Sequence, residues 1–498
     1  MGPLRGRLGT PGVLAGPSKS SGRGRAIQRL TRQGEPRRAR WSREIESRWN
    51  TESTTSSAGR PARPLRPCRE GALDFVYLYC LRFGYFFIGD YRVGGVSRRA
   101  LVKVSTLIKD GAIVASMSVL LLSASELVLR AMYPEKTRPE PLVTESSAYR
   151  LDDEYIVDLK PNMTKTYVRQ SSNGGDSISW STNAQGFRGA ELRADGSTRV
   201  VVYGDSNIQA RFSRLEHTFT YRLEHYLDSA VVGGVEVVNA GVVGSGPDQS
   251  LLRIMDDYDV IRPDIVILHV FADNDFGDII RNRLFELDEA GALRSSQHRF
   301  SAPLFLNSLL VVRAARKLAG STTSPLDFVD MATQRSAWEF RLYSSRSRRV
   351  VSNFADYYDV DVALRPGSAS ALAKVELMSG IFGAAKVFAD SVGTQLMVLI
   401  QPARRDLVAN ITPSYRELSA FSKYRADGLT SHVHVGCIDH GLPCLNLFEP
   451  FSANDPEHLF FKGTNRHWSD EGQDLAARET AAFMLGRLVS IPTEARLN

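Results

Sequence analysis

A serine placed at a sharp turn is the first group in this sequence with the chemistry of a nucleophile. Ser206 follows the apolar run Thr198–Tyr203 through Gly204 and Asp205. A run of β-branched and aromatic residues is typical of a buried strand, and Gly-Asp ends such a strand in a tight turn. Free backbone N–H groups and the positive end of a following helix would stabilise an anionic intermediate there. Because Gly-Asp-Ser is a common string, a serine that only caps a helix is the alternative at this point.

Three further segments carry groups that would complement such a serine. Gly244 lies in a glycine-rich turn after the second predicted strand, Asn274 follows the third, and His467 lies ahead of the last helix. A glycine lets the backbone approach a ligand, an asparagine donates through its amide, and a neutral histidine accepts a proton. With Ser206 they would supply an oxyanion hole and a general base. Taken singly, each is equally well explained by a structural turn, an Asx cap or a surface histidine.

A parallel sheet has to position these residues, because strands and helices alternate along the chain. Strands are predicted at 200–203, 235–239, 264–271, 395–400 and 445–447. Helices are predicted between and after them at 214–228, 247–258, 371–392 and 473–489. This alternation predicts an α/β fold with helices on both faces of the sheet and ligands at the carboxyl ends of its strands. Residues 279–368 form an insertion, a length typical of a lid or a substrate-binding subdomain.

In this order, the four segments resemble the SGNH, or GDSL-type, hydrolases. The residues that carry the resemblance are Ser206 within Gly-Asp-Ser, Gly244, Asn274 within Asn-Asp, and His467 within Asn-Arg-His-Trp. The resemblance covers about residues 140–498 and implies a flavodoxin-like three-layer α/β sandwich with a parallel sheet and a lid-like insertion. It implies that Ser206 is the nucleophile and His467 the base. The oxyanion hole would comprise the N–H groups of Ser206 and Gly244 with the side chain of Asn274.

Two positions depart from the family pattern. The third member of the triad is usually an Asp two or three residues before the histidine, and here Asn465 lies two residues before it. An asparagine orients a histidine through its carbonyl but does not stabilise the imidazolium by charge. A carboxylate from elsewhere (Asp455 and Glu457 are near in sequence), a Ser–His dyad and lost activity all stay open. The second departure is Asp273, whose carboxylate would oppose an oxyanion unless it points away.

The resemblance implies a serine esterase or O-acyl hydrolase that acts through an acyl-enzyme. Its substrate would be an acylated small molecule, glycan or lipid, and we expect no cofactor and no metal. An O-acyltransferase of exopolysaccharide modification is the second hypothesis, because alginate-acetylation proteins resemble this layout with an Asp-x-His-Trp block. A catalytically silent carbohydrate-binding homologue is the third, and Asn465 is its motivation.

The positive charge of the chain belongs to its amino-terminal tail. The net charge is +7, but residues 1–70 carry 16 Lys/Arg and 5 Asp/Glu while the remaining 428 residues carry 46 and 50. The tail is rich in Arg, Gly, Pro and Ser, which predicts a disordered segment. The rest of the chain lacks the basic stripe of a nucleic-acid-binding domain, so we expect no nucleic acid on the folded domain.

Residues 103–132 contain the clearest membrane-type segment. The 19 residues Gly111–Leu129 are apolar except for Glu126, a length just sufficient to span a bilayer. Lys103 and Lys109 precede them, which favours an amino end inside the cell and an exported body. We therefore predict a signal-anchor and a membrane-anchored domain in the periplasm or outside the cell. A buried core helix is the alternative.

The rest of the predicted organisation follows from this segment. The remaining parts are an uncertain apolar or interfacial segment at 71–102, a linker and strap at 133–197, and a catalytic domain at 198–498. Within that domain Cys437 and Cys444 flank a short turn, and a hairpin there would bring them within bridging distance. In an exported domain, a disulfide and a pair of free thiols are both open. A zinc site is less favoured, since no second ligand pair has the usual spacing.

Overall fold

The computed structural model describes residues 98–132, 148–152, 154–296, 325–345, 358–408, 418–462 and 466–489. The predicted tail at 1–70, most of the segment at 71–102, parts of the insertion at 279–368 and Asn465 lie outside the described residues.

The described elements alternate between strands and helices after an initial long helix and two hairpins. The strands are β1 (Tyr149–Asp152), β2 (Ile156–Leu159), β3 (Thr164–Val168), β4 (Ser177–Ser181), β5 (Thr198–Gly204), β6 (Val235–Gly241), β7 (Ile265–Phe271), β8 (Phe285–Leu287), β9 (Leu293–Ser295), β10 (Gln395–Gln401) and β11 (Cys444–Asn446). The helices are α1 (Arg98–Met132), α2 (Ser206–Gln209), α3 (Phe219–Asp228), α4 (Pro247–Ile261), α5 (Asp275–Asn282), α6 (Pro325–Ser344), α7 (Val360–Leu364), α8 (Ala369–Val392), α9 (Arg404–Leu407), α10 (Gly428–Asp439), α11 (Phe448–Ser452) and α12 (Asp470–Val489).

The five predicted strands form one parallel sheet in the spatial order β6-β5-β7-β10-β11. Counted from β5, this is the 2-1-3-4-5 order of flavodoxin-like folds. The strand order reverses between β5 and β7, and the carboxyl ends of strands at such a reversal are where ligands bind in these sheets. Ser206 and Asn274 lie at this place, because each follows one of the two strands.

Helices cover both faces of the sheet because successive residues of a strand point to opposite sides. Val201 and Tyr203 of β5 face a core that includes apolar residues of α4, α8 and α10. Val200 and Val202 face a second core with α3, α11 and α12. All residues of β7 are buried, as expected of a central strand covered on both sides. The predicted three-layer α/β sandwich is therefore confirmed.

The expected hairpin around Cys437 and Cys444 is wrong. Cys437 lies near the end of α10 and Cys444 begins β11, since a parallel strand must be reached by a crossover rather than a tight hairpin. The two thiols are free, so the structure contains no disulfide at this pair. The hydrogen bond with Cys444 and burial raise the pKa of the Cys437 thiol, which keeps it protonated.

The segment that precedes the sheet contacts the turn after β5. Beyond the hairpins β1–β2 and β3–β4, Arg188 pairs with Asn239 of β6 in an antiparallel bridge. Its guanidinium donates to the carbonyl oxygen of Gln209 at 2.5 Å. The hydroxyl of Tyr149 donates to Oε1 of the same glutamine at 3.1 Å. This segment thereby supports the end of α2, the short helix that begins at Ser206.

The described part of the insertion packs next to the helix that follows Asn274. Glu339 on α6 lies 3.3 Å from Arg281 on α5. Lys374 on α8 is fully buried and lies 2.8 Å from both Asp359 and Asp361 at the start of α7. A buried charge of this kind is tolerated only when opposite charges contact it, so the network fixes how α5, α6, α7 and α8 meet.

Helix α1 contains the predicted membrane segment. Its residues Asp110–Leu129 are long and apolar enough to cross a membrane by length and composition, with a mean hydropathy of 2.0. Leu120 and Leu121 are 68% and 66% exposed, so the alternative of a buried core helix does not fit.

Candidate active site

The structure brings Ser206 and His467 into hydrogen-bond contact. His467 Nε2 lies 2.7 Å from Ser206 Oγ. Ser206 is the first residue of α2 and Asp205 is its N-cap, so the Ser206 N–H is one of those that a helix leaves without an intrahelical acceptor. A serine hydroxyl within hydrogen-bond reach of an imidazole is the arrangement of a nucleophile and its base.

Asn207 joins the serine turn to the histidine loop. Its N–H donates to Asp205 Oδ1 at 2.8 Å, and its Oδ1 accepts from the N–H of Trp468 at 3.2 Å. Its carbonyl accepts from Gln473 Nε2 on α12 at 3.0 Å. The indole of Trp468 is fully buried in the core between the sheet and α12. Since Trp468 directly follows His467, its burial fixes the backbone that carries this histidine.

Strand β6 approaches the serine turn through Gly241, a residue that sequence reasoning did not single out. A Cβ at this position would lie 2.3 Å from the backbone nitrogen of Gln209 and 2.7 Å from the carbonyl carbon of Ile208. The approach therefore requires a glycine. Asn239 of the same strand donates from its side chain to the Ile208 carbonyl at 2.7 Å. The one sequence signal for this role is that Gly241 lies two residues beyond the end of the predicted strand at 235–239.

Gly244 and Asn274 lie in the loops after the two strands that flank β5. Gly244 has a φ of 68°, a conformation that favours glycine. Asn274 caps α5, and its Nδ2 donates to Asp278 Oδ2 at 2.6 Å. An amide nitrogen carries two protons, so one remains for a ligand. The roles of both residues in an oxyanion hole stay predictions, consistent with their loops at the same edge of the sheet as Ser206.

The carboxylate of Asp273 is buried between two arginines. Its Oδ1 lies 3.0 Å from Nε of Arg405, and its Oδ2 contacts Nη1 of Arg466. The sequence suggested that the negative charge of Asp273 would oppose an oxyanion. The two arginines offset that charge. Because Arg466 directly precedes His467, the same ion pair also holds the histidine loop.

The surroundings of His467 keep its imidazole neutral. Burial, followed by the positive charges of Arg211 and Arg466, lowers the pKa of His467 to about 3. The ring of Phe212 meets the imidazole edge-on, with centroids 4.7 Å apart. A neutral Nε2 is able to accept a proton, and the two arginines oppose a positive charge on the ring.

Neither of the two carboxylates considered as substitutes for a triad acid is buried at the site. Asp455 lies 2.8 Å from His458 at the surface, with both side chains about 70% exposed. Glu457 is also exposed, and its charge acts on Arg404. Asn465, the residue in the usual place of the acid, lies outside the described residues.

A second buried histidine lies under the serine turn. His269 of β7 contacts Gln401 Oε1 through Nε2 at 2.9 Å, and its Nδ1 lies 3.7 Å from Asp205 Oδ1. Burial lowers the pKa of His269 to about 4 and raises that of Asp205 to about 6. The imidazole is therefore neutral at physiological pH and supports the turn through its packing on Trp468. In the sequence, the only sign that His269 is buried is its position within the apolar run of a predicted strand.

Comparisons with known proteins return solved structures of hydrolases. One is an α/β hydrolase from the metagenome of Lake Arreo, with 13% identity over 59% of this chain and 97% of that chain and a TM-score of 0.31. A lipase/acylhydrolase from Enterococcus faecalis has 12% identity over 58% and 96%, with a TM-score of 0.30. A GDSL-like lipase from Bacteroides thetaiotaomicron has 11% identity over 60% and 93%, with a TM-score of 0.29. No protein-family model and no curated protein matches the chain.

Two acetylxylan esterases are among the other solved structures returned, with identities of 13% and 11% and TM-scores of 0.30 and 0.31.

We predict that His467 titrates far below the usual range of a histidine. Its folded-state pKa of about 3 means that the imidazole stays neutral, and able to accept a proton, as the pH falls from neutrality to about 4. The measurement is an NMR titration of the imidazole resonances, with His467→Gln identifying the peak. A midpoint near the ordinary 6.5 would contradict the prediction.

Proposed function

We propose that this protein is a serine esterase, or O-acyl hydrolase, that acts through a covalent acyl-enzyme on Ser206. The observation that carries the proposal is the 2.7 Å contact between Ser206 Oγ and His467 Nε2. A serine that only caps a helix would bond to the helix backbone, but here the cap is Asp205. The hydroxyl of Ser206 is therefore available to contact His467. A catalytically silent binding module would not need this contact between a serine and a histidine.

The proposed reaction uses the two side chains in turn. Ser206 Oγ attacks the carbonyl carbon of an ester while its proton passes to His467 Nε2. The tetrahedral intermediate then collapses, and the departing alcohol takes the proton from the imidazolium. A water molecule attacks the acyl-enzyme, gives a proton to His467 and releases the carboxylic acid. That proton returns to Ser206 Oγ, so both residues end as they began.

The oxyanion of the intermediate would be held by donors from three adjacent loops. We assign this role to the N–H groups of Ser206 and Gly244 and to the free amide proton of Asn274. Support comes from the strand order, which puts the Ser206 strand between the other two. One such donor is worth about 10²–10³ in rate.

We assign to Asn465 the place of the triad acid. It lies two residues before His467, the position that the acid usually takes in the resembling family. An amide carbonyl oxygen in this position would orient the ring but would not stabilise the imidazolium by charge. The proposed enzyme is accordingly slower than one with a complete Ser-His-Asp triad.

An acylated glycan or lipid is the proposed substrate, and α1 is the proposed membrane anchor. Support for the anchor comes from the exposed apolar segment Asp110–Leu129 and from the lysines that precede it. An exported domain held at a membrane meets the esters of surface glycans and lipids, which defines the substrate class.

Labelling by a fluorophosphonate probe tests the nucleophile. We predict that the intact protein is labelled, and that Ser206→Ala and His467→Ala lower both labelling and hydrolysis of a neutral acetate ester by at least about 10³-fold. Ser452→Ala and His458→Ala are matched controls at exposed positions and should behave as the parent protein. An unlabelled parent protein would refute the esterase. Acetyl transfer to a glycan acceptor that exceeds hydrolysis would instead favour an acyltransferase.

Restoring a carboxylate tests the role of Asn465. We predict that Asn465→Asp raises kcat for ester hydrolysis by about tenfold or more, because a carboxylate stabilises the imidazolium and raises the pKa of His467. Asn454→Asp adds the same charge at an exposed position nearby and should leave kcat unchanged. An unchanged kcat in Asn465→Asp would mean that another group holds the histidine.

Fractionation and protease access test the anchor. We predict that the protein stays in the membrane pellet after carbonate extraction, and that protease added to intact spheroplasts cleaves the catalytic domain. Removal of residues 110–129 should release the domain from the membrane, since no other described helix is long and apolar enough to span it. Protection of the domain in intact spheroplasts would contradict the proposed topology.

A further inference from the structure

Arg211 lies beside the catalytic pair, in the loop that follows α2. Its guanidinium carbon lies 4.8 Å from the ring centroid of Phe212 and 5.9 Å from that of Tyr167 on β3. The same Phe212 ring contacts the imidazole of His467. The guanidinium of Arg211 therefore packs against aromatic rings, and one of these rings, that of Phe212, also contacts His467.

The charge of Arg211 lacks a counter-charge in the part of the chain that the structure describes. Three neighbouring arginines each have one: Arg466 contacts Asp273, Arg169 lies 2.8 Å from Asp470, and Arg214 lies 3.6 Å from Asp176. The buried guanidinium of Arg188 instead donates to the carbonyl oxygens of Gln209 and Ser213. For Arg211, the described contacts are those to the two aromatic rings, and its Nε is buried without a hydrogen-bond partner.

An uncompensated positive charge at this place is a handicap for the free enzyme. It disfavours the imidazolium that His467 must become during the reaction. The handicap disappears if an anion binds the guanidinium when the substrate is present. Aromatic rings that cover a face of the guanidinium leave its N–H edge to form paired hydrogen bonds with a carboxylate or a phosphate.

We propose that Arg211 binds an anionic group of the ester substrate, so that the natural substrates are acidic esters bearing a carboxylate or a phosphate. The inference rests on the proposed function, because it assigns a substrate class to the site of Ser206 and His467. Arg211 is here a specificity-determining residue that contacts the substrate at a distance from the scissile bond.

Matched pairs of esters test this assignment. The carboxylate pair is acetylated galacturonic acid against acetylated galactose, and the phosphate pair is acetylated glycerol phosphate against acetylated glycerol. kcat/KM is measured for all four with the full-length parent protein, Arg211→Gln and Arg211→Lys. Arg214→Gln is the matched control. Arg214 belongs to the same loop, its side chain is 52% exposed, and it is already paired with Asp176.

We expect the parent protein to prefer at least one acidic ester over its neutral partner by about tenfold or more, the effect of one charge-assisted hydrogen bond. Arg211→Gln should abolish the preference, chiefly through KM, and Arg211→Lys should keep part of it. The preference should weaken as salt is added, because ions screen an accessible charge. The pair of esters in which the preference is found, carboxylate or phosphate, identifies the anion that Arg211 binds.

Three results would overturn the inference. They are no preference for either acidic ester, a preference that survives in Arg211→Gln, and a loss in Arg211→Gln that is equal for acidic and neutral esters. The last would mean that Arg211 stabilises the oxyanion itself. Failure of the proposed function is distinguishable, because then the neutral esters are not hydrolysed and Ser206 is not labelled.

Discussion

The hydrogen bond between Asn207 and the backbone of Trp468 is the contact on which the candidate site depends. It joins two turns that are far apart in the sequence, one carrying Ser206 and the other His467. The indole of Trp468 is buried in the core between the sheet and α12, so the free energy that stabilises this core also fixes the position of His467. The 2.7 Å contact between the two reactive atoms is a consequence of that packing.

The electrostatics of the site follow from burial together with an excess of positive charge. Asp273 is compensated by Arg405 and Arg466, whereas the charge of Arg211 is directed at His467. In a buried site of low dielectric these charges act strongly, and they disfavour an imidazolium at His467. A substrate with its own negative charge would compensate the charge of Arg211. A carboxylate in place of Asn465 would instead stabilise the imidazolium of His467 directly.

The sheet was predictable because its strands are short, β-branched and buried on both faces. Runs such as Val200–Tyr203 and Ile265–Phe271 have no competing helical pattern, and the helices between them are long enough to show periodicity. Two elements show why a sequence pattern can fail. The four-residue helix α2 is too short for any periodic pattern, and the spacing of Cys437 and Cys444 suggests a hairpin where the structure has the end of α10 and the start of β11.

The identity of the candidate site residues and their order along the chain can be read from the sequence, since Gly-Asp-Ser, Gly244, Asn274 and His467 are local features beside strand ends or a helix start. The contacts that hold these residues and the charges around them come from the folded chain. The partners of Asp273, the aromatic surroundings of Arg211 and the need for glycine at Gly241 depend on residues distant in sequence. Such contacts leave no local pattern, because they arise only when the sheet brings its loops to one edge.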